Sequence, residues 1–203
     1  SMTRLEAHRD YTFGVVRLMM RHVYDLAHRN AEPVSPVTAL DTHVDIMRKT
    51  KLFDGRHPAL GLDPPVTAWD ELKAELAARI DSHSDDDTEE LEVSCWQLLL
   101  PYLAPWLDQV PNVTYPFGCW NYDIPGSKPT YLNLHFLNAF QPDSPFTERR
   151  DEFISSLLGM LKDGGKEHPQ ATHVCCSTWL NRFGPFNALF PTCWAESFVL
   201  TQY

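Results

Sequence analysis

No apolar stretch of the 203-residue sequence is long enough to cross a bilayer. The best candidate, Val93 to Trp106, is short and contains Pro101 and Pro105. Basic residues are also scarce: 17 Lys and Arg stand against 27 Asp and Glu, which gives a formal net charge of -10. Such a charge repels phosphate backbones and anionic lipid headgroups. The sequence therefore disfavours both nucleic acids and membranes as partners.

Cysteines are few and irregularly spaced. They are Cys95, Cys119, Cys175, Cys176 and Cys193. Their odd number and the lack of C-x-x-C spacing favour reduced thiols over a disulfide framework or a zinc knuckle. The first residues, beginning Thr3-Arg4-Leu5-Glu6, have neither the basic start nor the apolar stretch of a secretory signal. We therefore expect a cytoplasmic protein.

Length and composition predict a single domain over residues 1–203, because 43% hydrophobic residues can build one sizeable core. Residues 1–110 have mostly helical patterns and residues 111–203 are rich in strand patterns. We expect an α+β fold, in which an N-terminal helical layer packs on a small mixed sheet that contains one β-α-β unit.

The helical part shows four apolar stripes. The first runs from Leu5 to Arg29, and a second helix starts at Ser35-Pro36. Thr67 and Asp70 suggest a capping box for the third. The fourth follows the acidic run 81–90 and should kink or end around its two prolines, 101 and 105.

Aromatic and β-branched residues mark four strands in the second part, at about 117–124, 130–138, 172–180 and 194–201. A helix from Thr147 to Leu161, with Gly164 and Gly165 as its stop, lies between the second and third. Strands joined in this way run parallel.

Strand alternation sorts the polar residues of the β-α-β unit. Asn133 and His135 fall on one face of the second strand, and His173, Cys175 and Ser177 share a face of the third. Neighbouring parallel strands are therefore predicted to bring His135 close to His173 and Cys175.

Three interpretations of that face stay open. Cys175 is a thiolate nucleophile activated by a histidine; or His135, His173 and Cys175 bind a metal; or these side chains are structural. The leading hypothesis is an enzyme that acts on a small metabolite by acyl transfer or hydrolysis. In it Cys175 attacks, His135 or His173 is the base, and Asn133 or Ser177 donates to the oxyanion. The alternatives are a metal-dependent enzyme and a non-catalytic ligand-binding or assembly domain.

Loops rich in Gly, Pro and aromatic residues follow the strands and are candidates for lining a pocket. The predicted substrate-binding residues are Asn133, Trp120, Asp123, Asn181 and Arg182. Asp123 and Glu196 are the carboxylates best placed to orient a strand histidine.

The string Asp41-x-His43-x-Asp45 invites a metal site. On a helix, however, Asp41, Asp45 and Lys49 are four residues apart and form a row on one face. We therefore favour a solvent-facing row over a site.

The last third of the chain resembles the C-terminal domain found behind some GNAT-like acyltransferases. The resemblance lies in Leu134-His135, in the segment 174–180 (V-C-C-S-T-W-L) and in Leu189-Phe190-Pro191. It implies His135, Cys175 and Ser177 as site residues. The sequence has no glycine-rich pyrophosphate loop, so acetyl-CoA is not implied, and the cofactor and the oligomeric state stay open.

Overall fold

A computed structural model describes residues 2–197, apart from the side chains of Trp179 and Arg182. The α+β class and the small mixed sheet are confirmed. The described residues fall into two compact units, 2–110 and 111–197. This boundary coincides with the change of composition at Pro111, while a single domain over residues 1–203 stays a prediction.

The first unit is helical. Its helices are α1 (Arg4–His28), α2 (Pro36–Thr42), α3 (Thr67–Ser82) and α4 (Glu89–Leu107), with short 3-10 turns at Met47–Lys49 and Pro58–Leu60. α1 packs along α4, and α2 packs on α3. Their apolar stripes meet in one core, whose fully buried members include Met20, Leu40, Ile46, Trp69, Leu76, Ile80 and Leu99.

The ends of these helices follow from local hydrogen bonds. At the start of α1 the Thr3 hydroxyl accepts from the Glu6 N–H, and the Glu6 carboxylate accepts from the Thr3 N–H, which is a complete capping box. The capping box predicted at Thr67 is wrong, because Thr67 is already helical and Val66 is the N-cap residue. The apolar inner face predicted for α3 is confirmed.

The predicted solvent-facing row of Asp41, Asp45 and Lys49 is also wrong. α2 ends at Thr42, so these residues do not share one helix. Asp41 instead accepts hydrogen bonds from Trp69 Nε1 at 2.9 Å and from Lys73 Nζ at 2.7 Å. It therefore anchors α2 to α3.

α4 continues through both of its prolines and ends at Leu107, two residues after Pro105, so the predicted end around the prolines is confirmed. Pro101 and Pro105 lie one turn apart on the exposed face of the helix, as does Gln97. Each proline leaves the carbonyl four residues before it without a helical donor, but water can reach this face. The buried face, with Leu99 and Leu103, keeps the helix packed in the core.

The second unit contains the sheet. Its elements are β1 (Trp120–Asp123), β2 (Tyr131–Phe136), α5 (Arg150–Glu167), β3 (His173–Cys175), α6 (Gly184–Asn187) and α7 (Thr192–Glu196). The strand order is β1-β2-β3; β1 is antiparallel and β3 parallel to β2. The predicted β-α-β unit is thereby confirmed as β2-α5-β3.

The prediction that Gly164 and Gly165 stop α5 is wrong, because the helix runs through both glycines to Glu167. A Cβ atom on Gly164 would lie 2.9 Å from Leu132 Cδ1, whereas one on Gly165 would meet nothing within 4 Å. Gly164 therefore serves the close approach of α5 to β2 and not the end of the helix.

The third predicted strand is shorter than 172–180. β3 ends at Cys175, and a 3-10 helix, Trp179–Arg182, follows. The Thr178 hydroxyl accepts from the Leu180 N–H at 3.2 Å, so this side chain offers the backbone a turn in place of a strand ladder.

The predicted fourth strand is wrong where it can be seen, since Trp194 to Glu196 belong to α7. Its remainder, from residue 198 on, lies outside the described residues. Over residues 2–197 none of the helices combines the length and the apolar character that crossing a membrane requires.

Candidate functional site

The two faces of the sheet differ sharply. Trp120, Leu132 and Leu134 point to the side covered by α5 and are buried there with Phe153 and Leu157. The alternate positions form the opposite side, which we call the polar face; its members are Asn121, Asp123, Tyr131, Asn133, His135, His173 and Cys175. The polar face is partly exposed throughout.

Asp123 and His135 form the central contact of the polar face. The Oδ2 atom of Asp123 lies 2.8 Å from Nε2 of His135. Their side chains are 56% and 39% exposed, so solvent reaches both. Because a carboxylate only accepts hydrogen bonds, neutral His135 carries its proton on Nε2. The lone pair of His135 is then on Nδ1, where it can take a proton from another molecule.

Asn133 joins this pair to the next strand. Its Nδ2 atom lies 3.2 Å from Asp123 Oδ1, and its Oδ1 atom accepts from the Cys175 thiol at 3.7 Å. The register explains this row, since Asn133 lies directly opposite both Asp123 and Cys175. The amide of Asn133 therefore holds the carboxylate in place, a different task from the expected donation to an oxyanion.

Cys175 is set up as a thiol and not as a thiolate. Burial raises the pKa of Cys175, nearby Asp123 adds to that rise, and Lys128 opposes it. Its hydrogen bond goes to Asn133, which accepts, and within residues 2–197 no hydrogen bond joins the Cys175 thiol to a base that could withdraw the proton. An activated nucleophile needs the opposite arrangement, a lowered pKa or an adjacent base.

His173 does not lie beside His135, and this part of the prediction is wrong. In the parallel register His173 is opposite Tyr131, four residues before His135 on β2. At about 3.3 Å per residue the two positions are about 13 Å apart. The metal alternative with His135, His173 and Cys175 thus lacks its geometry. Across residues 2–197 no three or more His, Cys, Asp or Glu side chains are grouped so as to hold a metal ion.

Other predicted residues have structural positions. Trp120 is fully buried and stacks on Phe153 with ring centroids 4.9 Å apart, so it cannot touch a ligand. Asn181 donates to the Cys176 carbonyl at 2.9 Å and accepts from Trp194 Nε1 at 3.1 Å, which ties the C-terminal loops together.

The remaining predicted residues are not joined to the pair of Asp123 and His135. Ser177 is exposed and follows the end of β3, so strand alternation no longer fixes its direction. Glu196 lies in α7 and is exposed, and Asp123 alone of the two predicted carboxylates contacts a strand histidine. The side chain of Arg182 lies outside the described part of the structure.

Sequence reasoning missed two members of the site. Tyr131 starts β2 on the polar face, and Lys128 lies in the turn before it, with Nζ 5.4 Å from the centre of the Tyr131 ring. Period-two alternation already placed Tyr131 on the face of Asn133 and His135, so it could have been found. Lys128 could not, because its position depends on the shape of the turn.

Comparison with protein-family models, with curated proteins and with solved structures gave no match to this chain.

Proposed function

We propose that the protein hydrolyses an acyl bond, an ester or an amide, in a small metabolite, with His135 as the general base. The observation that carries this proposal is the 2.8 Å contact between Asp123 Oδ2 and His135 Nε2 on an accessible sheet face. A carboxylate that fixes the tautomer and orientation of a histidine is the arrangement that makes imidazole an efficient base.

The chemistry follows from the positions of the protons. Nδ1 of His135 takes a proton from a water molecule as its oxygen attacks the carbonyl carbon of the substrate. Asp123 stabilises the imidazolium that forms. When the tetrahedral intermediate collapses, the bond to the leaving group breaks, and the imidazolium returns its proton to that group. The products are a carboxylic acid and an alcohol or amine, and His135 is neutral again.

The same base supports acyl transfer if an acceptor hydroxyl or amine replaces the water. Acyl transfer is also the reaction suggested by the resemblance to the C-terminal domain of GNAT-like acyltransferases, and this resemblance stays a prediction. In both variants Cys175 is a neighbour and not the attacking group, because its pKa is raised and its partner is Asn133.

The test is the rate of p-nitrophenyl acetate hydrolysis by the wild type and two variants. His135→Gln removes the base, and we expect kcat/KM to fall about 100-fold. His168→Gln is the matched control, since His168 contacts Tyr122 on the other side of the sheet and should leave the rate unchanged. Equal rates for all three proteins would refute the proposal.

A further inference from the structure

The end of the polar face away from His135 carries positive charge on an aromatic platform. The ring of His173 stacks on that of Tyr131 with centroids 4.8 Å apart and planes inclined by 18°. The ammonium group of Lys128 lies 5.4 Å from the centre of the same Tyr131 ring. A cation over a tyrosine ring is held by the ring quadrupole. Three side chains from the turn, β2 and β3 are thus collected at one place.

The donors of this platform are available to a ligand. Lys128 is exposed, and within residues 2–197 no carboxylate lies within ion-pair distance of its Nζ atom. The Nδ1 atom of His173 lies 2.9 Å from the Thr172 hydroxyl. When this hydroxyl donates to Nδ1, the neutral ring carries its proton on Nε2 and can donate it to a ligand. The chain has a net charge of -10, so an exposed lysine and an exposed imidazole that both contact one tyrosine ring form a locally basic spot that favours an anion.

The carboxylate of the polar face, Asp123, is held by other partners. Asp123 lies in the next row of the face, opposite Asn133. Its Oδ1 atom accepts from Asn133 and its Oδ2 atom contacts His135. Each oxygen of Asp123 therefore already has a hydrogen-bonding partner on β2.

We propose that Lys128, Tyr131 and His173 form a subsite for an anionic group, a carboxylate or a phosphate, of the molecule that His135 acts on. This inference rests on the proposed function for its second half. Since Tyr131 and His135 are four residues apart on β2, the anionic group binds about 13 Å from the bond that is broken. The substrate class is thus an elongated ester or amide with an anionic end.

The test is binding, which is independent of turnover. Inorganic phosphate and, separately, acetate are titrated into the protein at constant ionic strength, and the ring-proton signal of His173 is followed by NMR, assigned by its loss in His173→Gln. We expect a saturable shift, and the anion with the lower Kd indicates which group the subsite takes. Lys128→Met should weaken binding about fivefold, the size expected for one exposed charge pair.

Lys166→Met is the matched control. Lys166 is 83% exposed on α5, which covers the opposite side of the sheet, so the variant loses the same charge elsewhere. A shift that grows linearly with both anions, or equal weakening in the two lysine variants, would overturn the subsite. Lys128→Gln repeats the measurement should the methionine variant fold poorly.

The two proposals fail separately. If hydrolysis needs His135 but neither anion binds saturably, the subsite is refuted and the hydrolytic site stands. If both lysine variants bind as predicted while His135→Gln hydrolyses esters at the wild-type rate, the subsite is supported and the hydrolytic function fails.

Discussion

The two units use their charged side chains in opposite ways. In the helical unit Glu92 is 2% exposed and Lys73 is buried, and each forms an ion pair with a side chain of a neighbouring helix. In the sheet unit Asp123 and His135 are aligned with similar hydrogen-bond geometry but remain open to solvent. A buried pair is costly to break, whereas an exposed pair adds little stability. The buried charged side chains of the helical unit therefore stabilise the fold, whereas those of the polar face are accessible to a ligand.

The largest effect is expected from the apolar side of the sheet. Trp120→Ala removes a fully buried ring that packs on Phe153, and we expect the free energy of unfolding to fall by about 3–5 kcal/mol. Asn121→Ala, one residue along and on the polar face, should change it by less than about 0.5 kcal/mol. Urea unfolding followed by circular dichroism measures both. Similar losses in the two variants would mean that the polar face is structural.

Breaking the buried charge cluster of the helical unit comes next. Glu92 accepts from Arg21 Nε at 2.6 Å and from the Thr88 hydroxyl at 2.7 Å, and also contacts Arg17. Because the arginines are partly exposed, Glu92→Ala should cost about 2–3 kcal/mol, somewhat less than a wholly buried pair. Glu89→Ala is the control, since Glu89 is 71% exposed. Unfolding midpoints in urea that coincide for the two variants would contradict the comparison.

A smaller effect should appear where α5 meets the sheet. A Cβ atom at Gly164 would press on Leu132, so Gly164→Ala should lower the free energy of unfolding by about 1–3 kcal/mol. Gly165→Ala meets nothing within 4 Å and should raise it by about 0.5–1 kcal/mol, because alanine favours the helix. Thermal unfolding should therefore shift in opposite directions for the two glycines. A shift in the same direction would contradict the close approach of α5 to β2.

The smallest stability effect is expected on the polar face itself. Asp123→Asn keeps the size and a hydrogen-bond acceptor for His135, and the pair is exposed, so the free energy of unfolding should change by less than about 0.5 kcal/mol. The same denaturant titration tests this. If Asp123→Asn lowered the free energy of unfolding by about 2 kcal/mol or more, as is typical for buried ion pairs, Asp123 would have a structural role like that of Glu92.

Much of the sheet unit could be predicted from sequence because alternation has a period of two. Asn133 and His135 are two residues apart on one strand, so they share a face. The helix between β2 and β3 implies that these two strands run parallel. The register could not be predicted, because a shift by two residues leaves every side chain on its face. A shift of four residues, which likewise keeps every side chain on its face, would place His173 beside His135 instead of Tyr131.

The end of β3 could not be predicted from residue alternation either. Thr178 and Asn181 direct the backbone through side-chain hydrogen bonds, and these compete with a strand pattern that looks continuous in sequence. The helices of the first unit could be predicted more completely, because α1 and α3 carry long apolar stripes. The contact between Asp123 and His135 was foreseeable from the types of residue, but its place on an open face was not.

The most direct test of the central claim compares kcat/KM for p-nitrophenyl acetate between Asp123→Asn and Cys175→Ala. If His135, oriented by Asp123, is the reacting group, Asp123→Asn loses about tenfold or more, and Cys175→Ala keeps the wild-type value. The reverse result, an inactive Cys175→Ala beside an active Asp123→Asn, would show that the thiol performs the reaction and would contradict the account.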